Sequence, residues 1–200
     1  MSSVQNGGSV VALAGRRIDP DSASTPRFPF DQIDRVRAEI ADRLSRLRVI
    51  ALVCSAACGA DLIALEAAQA MGLRTRIILP FSTSSFRRTS VVDRPHPEYW
   101  GAIFNRVTQA ARDHGDLIVL DHAENDDAAY SAVNAAIVEE ARRLGGIKPS
   151  ARADASASLI AVVVWEGASR GPDDNTKQFA ELAFNAGFQV ETILTRRPDF

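Results

Sequence analysis

The sequence predicts a single α/β domain over residues 1–200, built as a doubly wound, mostly parallel sheet of about six strands with helices on both faces, three layers in all. Three observations carry that expectation. Apolar, β-branched runs recur along the chain and are continuous rather than alternating, as strands buried on both faces require. Stretches with helical periodicity separate them. Glycines follow several of those stretches, where a residue at positive φ commonly ends a helix.

The first strand is expected at residues 10–14, Val-Val-Ala-Leu-Ala. Ile33, Val36, Ile40, Leu44 and Leu47 then step by three and four, the spacing that lines up one face of a helix. A second strand at 49–54 leads into an alanine-rich helix stopped by Gly72, and a third strand follows at 76–79. Residues 81–97, rich in Arg, Ser and Pro, read as a loop too long for an ordinary connection and suited to covering a ligand. The third helix stops at Gly115, and the fourth strand occupies 117–120. Tyr130, Val133, Ile137, Ala141 and Leu144 mark the fourth helix, with Gly145 as its stop. A polar, proline-containing surface loop over 146–157 leads to a fifth strand at 159–165, a fifth helix closed by Gly187, and a sixth strand at 190–194. Strict alternation of this kind is the signature of right-handed βαβ crossovers. No internal repeat is visible.

Composition narrows the function. A chain of 200 residues that is 46% hydrophobic can bury a full core without staples. A net charge of −2 with both signs interspersed argues against affinity for a polyphosphate backbone, which needs clustered cations. Of 23 basic residues only Lys148 and Lys177 are lysines; the arginine bias suits bidentate contacts to phosphate or carboxylate and equally fits an arginine-rich genome. Cys54 and Cys58 are too few for a disulfide framework, and His96, His114 and His122 are scattered, so no metal site is expected. The amino terminus lacks a basic region before its short apolar run, and no apolar stretch reaches the length of a membrane span. A cytoplasmic protein without membrane contact is the expectation.

In an open doubly wound sheet, ligands bind outside the carboxyl ends of the strands, near the point where strand order reverses. The run Cys54-Ser-Ala-Ala-Cys-Gly-Ala-Asp61 ends a strand and opens a helix. Small residues such as Ala57 let a bound group approach the backbone, Gly59 supplies an unusual backbone angle, and free amides at the helix start favour an anion. Ser55 offers a hydroxyl. Asp61 either holds a ribose hydroxyl or serves as the N-cap of a tight strand-to-helix turn. After the first strand, Gly15 permits close approach and Arg16 or Arg17 can reach over a phosphate, unless both are solvated turn residues. Pro80 follows the third strand, and Arg87, Arg88 and Ser90 in the long segment can close over a ligand. Asn134, on the apolar face of the fourth helix, bonds to core backbone or points to the site. Asn175 or Thr176 is expected to cap the fifth helix, with Asp173 and Asp174 repelling a second anion unless they point away. Trp165 either stacks on a base or fills the core. No Ser/His/Asp set and no paired-carboxylate motif stands out.

Taken together, Ala12-Leu-Ala-Gly-Arg-Arg-Ile-Asp19, Ser55-Ala-Ala-Cys-Gly-Ala-Asp-Leu-Ile-Ala-Leu-Glu66 and Leu79-Pro-Phe81 resemble the SLOG superfamily of Rossmann-like domains, over most of the chain. That superfamily includes LOG-type enzymes, DprA-type DNA-processing proteins and nucleotide-sensing domains. The resemblance implies a site made by Gly15, Arg17, Ser55, Gly59, Asp61 and Thr176 around the phosphates and ribose of a nucleotide. Two departures stand out. Arg16 replaces the histidine of a Gly-His-Arg loop, and Asp173, Asp174 and Asn175 stand where Gly-Gly would precede the threonine, here Thr176. Those changes count against a second tight phosphate cradle, and the LOG enzymes' signature is also absent. The function expected is sensing of a nucleotide or nucleotide-derived ligand, of the NAD, ADP-ribose or cyclic-nucleotide kind, by a homodimer. An alternative is a nucleotide N-glycosidic hydrolase using Asp61 or Glu66. Single-stranded DNA binding, as in DprA-type relatives, is disfavoured by 6% aromatic content and an acidic balance.

Overall fold

The central strand is β1 (Ser9–Gly15), flanked by β2 (Val49–Cys54) and β5 (Ser158–Trp165). The computed structural model describes residues 8–124, 126, 128–146 and 157–197. Among these, β3 (Arg74–Leu79), β4 (Leu117–Val119) and β6 (Gln189–Leu194) complete a six-stranded sheet in the order β4-β3-β2-β1-β5-β6, with every pairing parallel. The chain winds outward from β1 to β4, then crosses back to place β5 on β1's other side. The direction of winding therefore reverses between β1 and β5.

The crossovers cover both faces. On one side lie α1 (Ile33–Arg46), α2 (Ala60–Ala70), α3 (Thr83–Ser90) and α4 (Pro97–Asp113); on the other lie α5 (Ala129–Leu144) and α6 (Asn175–Asn185). Strand residues alternate between the two: Val11, Leu13, Leu52 and Ile77 pack under α1 to α4, while Val10, Ala12, Val53 and Ile78 pack under α5 and α6. Both sets must be apolar, which is why the strands read as unbroken hydrophobic runs. The α1 face meets the sheet through Val36, Ile40 and Leu44, as its spacing predicts, and Trp100, Phe104 and Val107 anchor α4. The three-layer, doubly wound architecture expected from sequence is present. No described helix is long and apolar enough to cross a membrane.

The third crossover departs from expectation. Residues 81–97 are not one loop, because α3 occupies their centre. Its N-cap Ser82 accepts a hydrogen bond from the Ser85 amide at 3.3 Å, and Phe86 is driven into the core. Pro97 then opens α4 at the position where a proline fits a helix best. Gly72, Gly115 and Gly187 take positive φ as expected, but Gly145 stays in the right-handed region and Gly146, at φ 72°, makes the turn. The expected loop over 146–157 lies largely outside the described residues.

Candidate functional site

At the point where strand order reverses, a cleft of about 530 Å³ opens over the carboxyl end of β1, between the start of α2 and the start of α6. This is where an open α/β sheet leaves room between crossovers that diverge to opposite faces. The volume lies within the range of small-molecule sites.

Glycines at the base bring the chain's own segments together. A Cβ on Gly15 would stand 2.5 Å from the Ala60 Cβ and 2.6 Å from the Val164 carbonyl oxygen. Gly59, at φ 104°, would put a Cβ 2.6 Å from the Arg16 carbonyl oxygen and 2.8 Å from the Ile18 nitrogen. Arg17 and Gly59 form an isolated β-bridge there, with the Ala60 amide donating to the Arg16 carbonyl at 3.1 Å. Gly59 does not line the cleft; what approaches its backbone is the loop after β1.

Three of the amides in the run expected to cradle an anion, those of Ala57, Cys58 and Ala60, are already engaged. Ala57 N–H donates to the Asp61 carboxylate at 3.2 Å, and Cys58 N–H to the Ser90 carbonyl at 3.0 Å. At α6 the N-cap is Asp174, not Asn175 or Thr176, and its Oδ1 accepts from the Thr176 and Lys177 amides at 3.0 and 3.4 Å. Asp174 points inward and is buried, so the anion at this helix start belongs to the chain itself.

Arg16 explains the inward turn. Its guanidinium, 3% exposed, donates to Asp174 at 2.5 and 2.8 Å, to Glu166 at 2.6 and 3.1 Å, and to the Ala168 carbonyl at 2.9 Å. All three nitrogens of the fork are engaged. Burial opposes ionisation of Asp174, yet the Arg16 hydrogen bonds and the Arg170 amide hold its carboxyl well below the usual carboxylate range. Arg16 therefore ties the loop after β5 to β1 rather than reaching over a phosphate.

Four other guanidinium groups remain along the cleft: Arg17, Arg27, Arg94 and Arg170. Arg27 donates to Glu166 at 2.7 Å. Arg170 is weakly held, 3.8 Å from Asp174, and its pKa is lowered by burial and by the charges of Arg16 and Arg27. Arg17 pairs with Asp93, which also lies 3.3 Å from Arg94. The Asp19 carboxylate, also at the cleft, is turned to the amides of Arg27 and Phe28 at 2.7 and 2.9 Å.

Asp61 lies in the first turn of α2 behind its N-cap Gly59, buried in the cleft floor. Burial pushes its carboxyl up to about 7, against the Ala57 amide and the Arg17 charge, which both favour the anion. Ser55, Ala57, Asn134, Asn175 and Thr176 also line the cleft, with Asn134 Nδ2 donating to the Asn175 carbonyl at 2.9 Å. Tyr130 brings an exposed ring to the same wall, its hydroxyl 3.0 Å from Ser90 Oγ.

Like Gly59, other expected site residues lie outside the cleft. Glu66 is drawn away by Arg106, at 2.5 Å, and Arg37, at 3.5 Å, between α2, α4 and α1. Arg88 is exposed and pairs with Glu124, and Pro80 is buried outside the cleft lining. Trp165 packs with the residues under α5 and α6, with Arg16 Cζ 5.7 Å from its ring centre. Sequence reasoning missed Arg27, Arg94, Arg170 and Tyr130. Of these, Arg94 carried a signal, since it falls in the segment expected to cover a ligand, and so did Arg170, which lies in the loop beyond the carboxyl end of the fifth strand. No described cluster of His, Cys, Asp and Glu could hold a metal ion. No protein-family model matches the chain, and no curated protein matches it significantly.

Proposed function

We propose that this chain binds a nucleotide or nucleotide-derived small molecule in the β1/β5 cleft and acts as a ligand-sensing domain. One observation carries the reading: the cleft sits at the reversal of strand order and combines four guanidinium groups besides Arg16 at its sides with a buried carboxyl at its floor. Guanidinium forks suit phosphate oxygens. Asp61, Asn134 and Ser55 suit the hydroxyls of a ribose, and the exposed ring of Tyr130 offers a face for a base. The SLOG resemblance points the same way.

A second reading has its own support. Asp61 holds its proton near neutral pH inside an enclosed site, which is what a general acid for N-glycosidic cleavage needs. Glu66 takes no part in that reading, being outside the cleft.

A thermal-shift screen against NAD, ADP-ribose, cyclic nucleotides and nucleoside monophosphates, with chromatography of each mixture afterwards, tests both. A ligand at about a hundredfold its Kd adds roughly 2.7 kcal/mol of stability. Stabilisation with the ligand intact supports sensing, and released base supports hydrolysis. The absence of any shift at millimolar ligand overturns the nucleotide assignment.

A further inference from the structure

We infer that Arg17 and Arg94 form a phosphoryl-binding subsite at one side of the cleft, with Asp93 holding the place of the ligand's anion while the site is empty. The inference deepens the nucleotide reading and names the group the ligand must present there: a terminal, dianionic phosphate.

The two arginines come from loops distant in sequence. Arg17 follows β1, and its backbone is clamped to Gly59 by the isolated bridge. Asp93 and Arg94 lie in the turn between α3 and α4. A third loop ties them together, because the Cys58 amide, after β2, donates to the carbonyl of Ser90 at the end of α3. The pair is thus mounted on three rigidly connected segments, although more than seventy residues separate its members.

Its charge is incomplete. Both guanidinium groups share one carboxylate, that of Asp93. The Nε atoms of Arg17 and Arg94 are shielded from solvent and have no hydrogen-bond partner among the described residues. The other group against Arg17 is the buried Cys58 thiol, which burial keeps protonated and which is a weak acceptor. Buried N–H groups without acceptors are uncommon in native proteins and ask for an explanation.

A phosphate monoester supplies what is missing. It carries nearly two negative charges and three acceptor oxygens, enough for two forks at once. Asp93 can supply neither, since it has one charge and its carboxylate is already stretched between two cations. Arg16 makes the contrast plain: its three nitrogens are held by two carboxylates, Glu166 and Asp174, and by the Ala168 carbonyl, so its charge is already matched within the chain. Side chains of Arg17, Arg94 and Asp93 are 28–29% exposed, so solvent and ligand reach the pair.

The experiment uses inorganic phosphate, AMP and adenosine as probes, with binding followed by calorimetry or by the 31P linewidth. Arg94→Ala and Arg17→Ala are each expected to weaken phosphate by about tenfold or more, the effect of losing a charge-assisted contact. Arg94→Lys keeps the charge but not the fork, and recovers only part of the loss. Asp93→Asn removes the competing anion and tightens phosphate several-fold. Arg46→Ala, on the far exposed side of α1, changes nothing. AMP outbinds adenosine in the wild type, and that advantage disappears in Arg94→Ala. Unchanged phosphate and AMP affinities in folded Arg17 and Arg94 variants overturn the subsite while leaving a nucleotide site intact. Phosphate binding that follows this pattern, with AMP no better than phosphate alone, upholds the subsite and overturns the nucleotide reading. No binding of phosphate or any nucleotide overturns both.

Discussion

Asp61→Asn should stabilise the protein above neutral pH and leave it unchanged below pH 4. The carboxyl is buried at the cleft floor and its folded-state pKa rises from 3.8 to about 7, burial outweighing the Ala57 amide and Arg17. Between those values the folded chain binds more protons than the unfolded chain, so stability falls as pH rises. Each unit of displacement is worth about 1.4 kcal/mol, which makes the full loss roughly 4 kcal/mol by pH 8. For a chain of this size that corresponds to a difference in Tm of roughly 10 °C. Asparagine keeps the shape and the acceptor for Ala57 N–H but cannot ionise. Other titrating groups are common to both proteins, so the difference between their Tm-against-pH curves isolates Asp61. The difference should be near zero at pH 4, open through pH 5 to 7 and level off by pH 8. Parallel curves over that range would refute the reasoning, since they would mean that Asp61 ionises in contact with water or with an anion-stabilising partner. Ligand binding adds a second readout. An ionised Asp61 repels a phosphate-bearing ligand, so wild-type affinity should decline above pH 7 and that of Asp61→Asn should not.

Three further outcomes follow from the same geometry. Gly59→Ala should destabilise by more than about 2 kcal/mol in urea unfolding, because φ 104° is strained for alanine and the new Cβ meets the Arg16 carbonyl; a loss of less than about 0.5 kcal/mol would remove the bridge from the account. Arg16→Met should lose roughly 3 to 5 kcal/mol by leaving Glu166 and Asp174 facing each other unpaired, and Arg16→Lys should recover less than half of it in the same denaturation assay. Asp174→Ala should lose the α6 cap, about 1 kcal/mol, and more through the orphaned Arg16; amide hydrogen exchange at Thr176 and Lys177 should accelerate.

The sheet was legible because its requirements are local and repeated. Val10 to Leu13 must be apolar at every position when both faces are covered, and the same demand recurs in the other central strands. Segment α3 was not legible, since its only large buried side chain is Phe86 and its remaining turn is arginine, serine and threonine. One apolar anchor sets no period. The location of the cleft was readable from the topology rule, and Ser55, Ala57, Asp61, Asn134, Asn175 and Thr176 do converge on it. The division of labour among the arginines was not readable. Arg16 and Arg17 are adjacent in sequence and identical in kind, and what separates them is a pair of carboxylates 150 and 158 residues away.

That separation changes how the cleft must recognise an anion. A doubly wound domain commonly uses helix amides for phosphate, because the N-terminal N–H groups are unpaired and the dipole favours negative charge. Here a carboxylate from the chain already stands at each candidate helix: Asp174 on the Thr176 and Lys177 amides, and Asp61 on the Ala57 amide ahead of α2. Asp174 is held there by Arg16, which keeps its carboxyl well below the usual carboxylate range, so the α6 N-terminus already faces a charge of the chain's own. Asp61 differs, since its charge comes and goes near neutral pH. Only the α2 side of the cleft can therefore change its affinity for an anion, and it does so next to Arg17, whose charge acts on the same carboxyl. Protonation of Asp61 and occupation of the Arg17 side should consequently be linked: a bound anion raises the proton affinity of Asp61, and proton uptake on binding, measured in buffers of different ionisation enthalpy at pH 7.5, is the expected sign of that coupling.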